Sequence, residues 1–177
     1  MNLGLRKDEV KIVPFEKDWK NEFVRIKKEI LLYTKLKDYQ IEHIGSTAIH
    51  DMPAKPIIDI IVGIQDLSEI NHSIIEGLKE VGFLRLRVNR PNEIVFAKFT
   101  DNTYEIKTHY IHLVEYKGEL WNNLSFFRDY LNVHEDARKK YLSIKLAYVN
   151  KKSTGVNEYT NFKEQFVKEI FSKKIGE

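Results

Sequence analysis

One carboxylate stands inside a β-branched run: Asp59, in Ile57-Ile58-Asp59-Ile60-Ile61-Val62. A lone acid is costly to bury in such a strand, so Asp59 asks for a partner. The same stretch offers three: a metal ion, the ammonium of Lys55, or the Ser46 hydroxyl with nearby backbone N–H groups. Gly45-Ser46 ends the preceding apolar segment, and a glycine without Cβ lets a ligand come close to the backbone. Pro53 and Pro56 stiffen the intervening loop and hold Lys55 just ahead of the strand. Further cations with candidate roles toward phosphate or carboxylate are Lys98 and Arg128. Lys98 lies in the alternating run Val95–Phe99, where pointing to water is the competing reading. Arg128 lies beside Asp129, where an internal ion pair competes. Tyr159 and Lys163 are four apart on one helical face and could stack on a base and touch a phosphate; core packing of Tyr159 with a solvated Lys163 is the alternative. No Ser-His-Asp order stands out as a triad, and no Gly-x-x-x-x-Gly-Lys phosphate loop is present. The absence of cysteine removes disulfides, thiolate metal sites and cysteine nucleophiles together.

The elements that must position these residues follow from periodicity. Gln40–Ile44 reads as a first central strand and Ile57–Ile64 as the strand carrying Asp59. Before them, Val10–Phe15 suits an edge strand or extended arm, and Asp18 is placed to cap a helix with Phe23, Ile26, Ile30 and Tyr33 on one stripe. Ser68 is placed to cap a second helix with Ile70, Ile74, Ile75, Leu78 and Val81 inward and Gly82 at its end. Leu84–Val88, Ile94–Phe99 and Tyr104–Tyr116 are β-prone and separated by turn residues, which predicts a mixed sheet. Leu120–Leu131, His134–Asn150 and Asn157–Phe171 read as helices. With 177 residues, 42% hydrophobic, the chain suits one good core, so we expect a single domain over 1–177. Within it, 10–116 form an α/β sheet core and 120–173 a helical part packed on it. A formal net charge of +3 is too mild to argue for nucleic acid. No apolar run approaches the ~20 residues of a membrane span, and Met1–Asp8 lacks the apolar core of a signal peptide, so a cytoplasmic protein away from membranes is the simplest reading.

The segment Glu42-His-Ile-Gly-Ser-Thr-Ala, continued by Ala54-Lys-Pro-Ile-Ile-Asp-Ile, resembles the GrpB family of the nucleotidyltransferase superfamily. The likeness extends to Arg90-Pro91, Phe96 to Lys98, Thr108-His109-Tyr110-Ile111-His112, Phe127 to Leu131, and Tyr159-Thr160 with Lys163, nearly the whole chain. It implies an α/β (α+β) fold: a nucleotidyltransferase-like mixed β-sheet flanked by helices, with a helical C-terminal part. It also implies a Gly-Ser turn that positions phosphate and carboxylates on neighbouring strands that hold Mg²⁺. On that pattern Gly45, Ser46, Lys55, Lys98, Arg128, Tyr159 and Lys163 are the nucleotide- or anion-binding candidates, and Asp59 with Ser46 the catalytic ones.

The superfamily's second carboxylate is missing here. A residue sharing the face of Asp59 should sit two places on, where the chain has Ile61. That leaves one weakly held metal, a ligand set completed by histidine, or no metal. His109 and His112 have opposite parity, so at most one reaches Asp59; His112, on the face of Tyr110 and Val114, is the candidate metal ligand. His109 is expected to be a hydrogen-bonded sheet histidine, and His43, His50, His72 and His134 surface or structural. The resemblance therefore implies transfer of a nucleotidyl group from a nucleoside triphosphate to a small acceptor. The alternative is a relative that binds a nucleotide or another anionic metabolite without turnover.

Overall fold

The first long helix, α1 (Asp18–Tyr33), buries Trp19, Phe23, Ile26 and Ile30, a spacing of four, three and four residues that makes one stripe. Asp18 is its first residue rather than its cap: Lys17 occupies the cap position, and no side chain caps the helix there. The structure, a computed structural model, describes residues 1–7, 9–68, 70–150 and 156–174, without the side chains of 156–162. In chain order the strands are β1 (Leu5–Arg6), β2 (Ile41–Ile44), β3 (Ile58–Ile64), β4 (Phe83–Arg85), β5 (Ile94–Phe99) and β6 (Ile106–Glu115). The other helices are α2 (His72–Glu80), α3 (Glu119–Val133), α4 (Glu135–Asn150) and α5 (Val156–Lys173).

The sheet runs β2-β3-β6-β5-β4, with β1 paired to the start of β6. Only β3 and β6 are parallel; their neighbours are antiparallel, so the sheet is mixed. β2 lies at an edge rather than in the centre. The cap of α2 is Asn71, whose side chain accepts from the Ser73 N–H, while Ser68 is held in a turn by Asp66. The cap had to move because the helix begins at His72, four residues after Ser68.

Strand alternation sorts the sheet into two faces. Ile41, Ile58, Ile60, Val62, Phe96, Ile111 and Leu113 face α1 and α2 and form the larger core with Trp19, Phe23, Ile26, Ile30 and Leu78. The other face carries Ile44, Ile61 and Val114 against Trp121 of α3. Each such side chain, fully buried, contributes roughly 1.5–3 kcal/mol. A third cluster joins Ile49 and Met52, from the loop between β2 and β3, to Phe127, Leu131, Tyr141, Phe166 and Ile170 of α3–α5. The C-terminal helices are thus docked on the loop that carries Lys55, and the second face of the sheet opens between them and β1. No helix among the described residues is long and apolar enough to cross a membrane.

Candidate functional site

That opening is a cavity of about 580 Å³. Gly45, Ser46, Lys55, Asp59, His112 and Lys163 all line it, so the tertiary fold brings together six residues drawn from four parts of the chain. Seven lysine or arginine residues border it (Arg6, Lys7, Lys55, Arg90, Lys107, Lys145 and Lys163), against two carboxylates, Glu9 and Asp59.

Gly45 follows the Ile44–Asp59 pair of the β2–β3 ladder and takes φ +71°, a conformation that L side chains rarely adopt. A Cβ there would lie 2.6 Å from Asp59 Oδ2, so only glycine lets the turn lie against the carboxylate. Ser46 opens a short 3₁₀ turn, Ser46–Ala48, and its hydroxyl faces the Tyr141 hydroxyl at 3.4 Å.

Asp59 points into the cavity with its side chain about a third exposed. Its Oδ1 lies 3.7 Å from His112 Nε2, while His112 Nδ1 lies 2.8 Å from Glu93 Oε2. Glu93 sits just before β5 and also pairs with Arg90 at 3.1 Å. The row Asp59–His112–Glu93 therefore crosses three adjacent strands. Burial of the imidazole opposes its charge, but the pairing with Asp59 and Glu93 outweighs it and pushes the pKa up to about 9. Tyr110, on the same face, is raised by burial and by Asp59. Ile61, two places after Asp59, is fully buried under α3 with Ile44, Val114 and Trp121.

The lysines gather opposite. Lys145 of α4 is 3% exposed; its Nζ donates to the Pro53 carbonyl at 2.6 Å and lies 4.8 Å from the Tyr141 ring centre. Burial, with Lys163 nearby, takes its pKa from 10.5 down to about 7. Lys55 is lowered by burial and by Lys163, with Asp59 opposing. Lys163 thus lies close enough to depress both Lys55 and Lys145, and the three ammonium groups form an anion site in the electrostatic sense.

Two of the expected cations lie elsewhere. Lys98 is on the opposite sheet face with Phe96: its ammonium donates to the Val81 carbonyl and lies over the Phe83 ring, because alternation along β5 turns Val95 to the cavity and Lys98 away. Arg128 of α3 ties that helix to the sheet edge, donating to Glu42 at 2.7 Å and to the His43 carbonyl at 2.9 Å while pairing with Asp129. The side chain of Tyr159 lies outside the described residues. His109 faces α1, 3.0 Å from Glu22, and burial lowers its pKa to about 4. His43 stacks on Phe23 and meets the Thr47 hydroxyl.

Glu93, Lys145 and Tyr141 were not singled out by sequence reasoning, and Arg90 was named only as part of the family likeness. Glu93 reads as an ordinary turn carboxylate. Tyr141 and Lys145 had one faint signal, a tyrosine and a lysine four apart amid apolar residues. Among the described residues, no three His, Cys, Asp or Glu side chains form a group that would hold a metal ion. Asp59 and Glu93 lie on opposite sides of the His112 ring and do not converge on one point. The residues expected to hold Mg²⁺ offer one cavity-facing carboxylate and an imidazole whose Nδ1 meets Glu93 while its Nε2 stands 3.7 Å from Asp59 Oδ1.

A family model described as "GrpB protein" matches residues 9–173. The glutamate-rich protein GrpB of Alkalihalophilus pseudofirmus is 43% identical over 173 residues, 96% of this chain and 98% of that protein. Among solved structures, the conserved protein GrpB from Enterococcus faecalis superposes with a TM-score of 0.77 at 19% identity, covering 93% of this chain and 99% of that one. A mutant of the Cid1 poly(U) polymerase bound to MgATP superposes with a TM-score of 0.54 at 15% identity, over 81% of this chain but only 46% of the polymerase chain. The likeness to the polymerase is one of fold: the mixed sheet and its flanking helices are nucleotidyltransferase-like.

Proposed function

The chain belongs to the GrpB family, and on that premise we propose that it binds a nucleoside polyphosphate, or a small metabolite with a like anionic group, in the cavity at Gly45–Ser46. The observation that carries the reading is the charge of the wall: seven cations against two carboxylates, around a turn that only glycine can make. The phosphates lie against Ser46 and the start of its 3₁₀ turn, where backbone N–H groups and the hydroxyl donate, and Lys55, Lys145 and Lys163 neutralise them. The MgATP held by the Cid1 polymerase, a protein of like fold, supports a nucleotide as the first ligand to try.

A second reading is nucleotidyl transfer to a small acceptor, favoured by the partial exposure of Asp59 beside the turn. Asp59 accepts the proton of the acceptor hydroxyl, the hydroxyl oxygen attacks the α-phosphorus, and pyrophosphate leaves.

Isothermal titration of the native protein with ATP, GTP, CTP and UTP, in EDTA and in Mg²⁺, tests the first reading. Heat is expected with at least one of them, and Lys145→Met should weaken that binding at least about tenfold (~1.4 kcal/mol). Silence from all four at millimolar concentration rejects a nucleoside triphosphate as the ligand. Pyrophosphate release that Asp59→Asn abolishes would select transfer over binding alone.

A further inference from the structure

Lys145 is the only lysine buried among the described residues, and it lines the cavity. Its Nζ donates to the neutral Pro53 carbonyl at 2.6 Å and lies 4.8 Å from the centre of the Tyr141 ring, whose hydroxyl faces Ser46. No carboxylate pairs with it among the described residues, and the charges nearest in the fold are positive: Lys163 of α5, and Lys55, two residues along the chain from its hydrogen-bond acceptor. An ammonium held away from water, with no anion beside it and cations close by, is relieved by losing a proton. The neutral amine still donates one N–H to Pro53 and keeps its lone pair, which makes it a nucleophile. We propose that Lys145 is a carbonyl-reactive amine and that the cavity takes a small phosphorylated aldehyde, its phosphate at Ser46, Lys55 and Lys163 and its carbonyl carbon at Lys145 Nζ. The lowered pKa of Lys145, about 7, agrees with a free amine at neutral pH.

The lone pair of Nζ attacks the carbonyl carbon, and one N–H proton passes to the carbonyl oxygen to give a carbinolamine. Its hydroxyl then leaves with the second N–H proton as water, and a C=N bond to Nζ remains. Aldehyde and amine thus become imine and water, reversibly, with no change of oxidation state and no co-reactant. Against a bare polyphosphate the same amine takes up a proton and serves as the third cation of the wall. The inference deepens the phosphate-binding reading and rests on it for the phosphate half of the ligand, though not for the reactivity of the amine.

The native protein tests it without a variant. At pH 7 it is mixed with an equimolar amount of pyridoxal 5′-phosphate, the imine is reduced with borohydride, and the labelled lysines are identified by peptide mass spectrometry. Lys145 should carry at least about tenfold more label than any other lysine, because an exposed lysine with a pKa near 10.4 is free amine to only about one part in 2,500 at that pH. No label, label spread over other lysines, or label on Lys55 or Lys163 with Lys145 clear overturns the proposal. Labelling of Lys145 should rise with a midpoint near pH 7 and level off; a yield that still climbs steeply toward pH 10.5, as for an ordinary lysine, overturns it too. Pyridoxal, the same aldehyde without phosphate, separates the two readings. At least about tenfold weaker labelling of Lys145 by pyridoxal supports both, whereas equal labelling by the two aldehydes supports the reactive amine and counts against the phosphate reading alone.

Discussion

Replacing Lys145 with methionine should make the protein more stable and a poorer anion binder at once. The lysine is 3% exposed, with one hydrogen bond to Pro53 and a Tyr141 ring beside it. Burial first, then Lys163, takes its pKa from 10.5 to about 7. At about 1.4 kcal/mol per pH unit, that fall corresponds to a cost on the order of 5 kcal/mol for the charged form. Methionine keeps the apolar stem but loses the hydrogen bond and the ring contact, and it leaves the Pro53 carbonyl without that donor, together about 2–4 kcal/mol. The net gain near neutral pH is therefore roughly 1–3 kcal/mol, or about 2–10 °C in Tm for a chain of this size. The sign follows from proton counting. Between pH 7 and 10.5 the unfolded chain holds the proton and the folded one does not, so native stability rises with pH there. The variant lacks that rise. Its advantage is full below pH 7, shrinks by about 1.4 kcal/mol per unit above it, and has reversed by pH 10.5. Urea denaturation of both proteins at pH 6, 8 and 9.5, with a polyphosphate titration at pH 7, measures this directly. A variant less stable than the native protein at pH 6, or a difference that does not change with pH, would refute the reasoning.

Two further outcomes follow from the same wall. In Gly45→Ala the added Cβ meets Asp59 Oδ2 at 2.6 Å on a backbone at φ +71°, so a loss of about 2–4 kcal/mol is expected, with loss of ligand binding; a thermal midpoint within a degree of native would contradict the geometry. For His112→Gln the folded pKa of the native ring is raised, so its contribution is fully present below pH 6.5 and is lost as pH rises through about 9. The stability gap between native and His112→Gln should be largest near pH 6, at most on the order of 3 kcal/mol, and should close by pH 10. A gap that stays constant over this range, or ring nitrogen shifts showing a neutral imidazole at pH 7, would count against the double pairing.

Periodicity made much of the scaffold legible. The α1 stripe follows from spacing at Phe23, Ile26 and Ile30, because one apolar face in 3.6 residues has few ways to be buried, but it begins at Trp19 and leaves Tyr33 half exposed. The face on which Asp59 stands follows from alternation, and so do the placement of His112 with Tyr110 and Val114 and the burial of Ile61 under α3. The same alternation sends Lys98 to the far face, which the sequence could not decide without knowing which face of β5 opens on the cavity. Helix caps at Asp18 and Ser68 were misplaced by one to three residues, since several polar residues compete for each helix start and small differences in local geometry choose among them. The two-residue strand β1 is too short to leave a periodic signal and exists because β6 offers it an edge.

By itself, the sequence determined the family, the mixed sheet, the glycine turn and the carboxylate beside it, because each of these rests on neighbours along the chain whose spacing is the whole of the signal. Only the tertiary structure decided what surrounds that carboxylate. Glu93 and His112 meet because β5 and β6 are paired, and Lys145 is buried beside Lys163 because α4 and α5 dock on the loop around Met52 and Pro53. A charge is shifted by the groups that come within a few ångströms of it in space, and residues 46, 93, 112 and 145 come together only when the chain has folded.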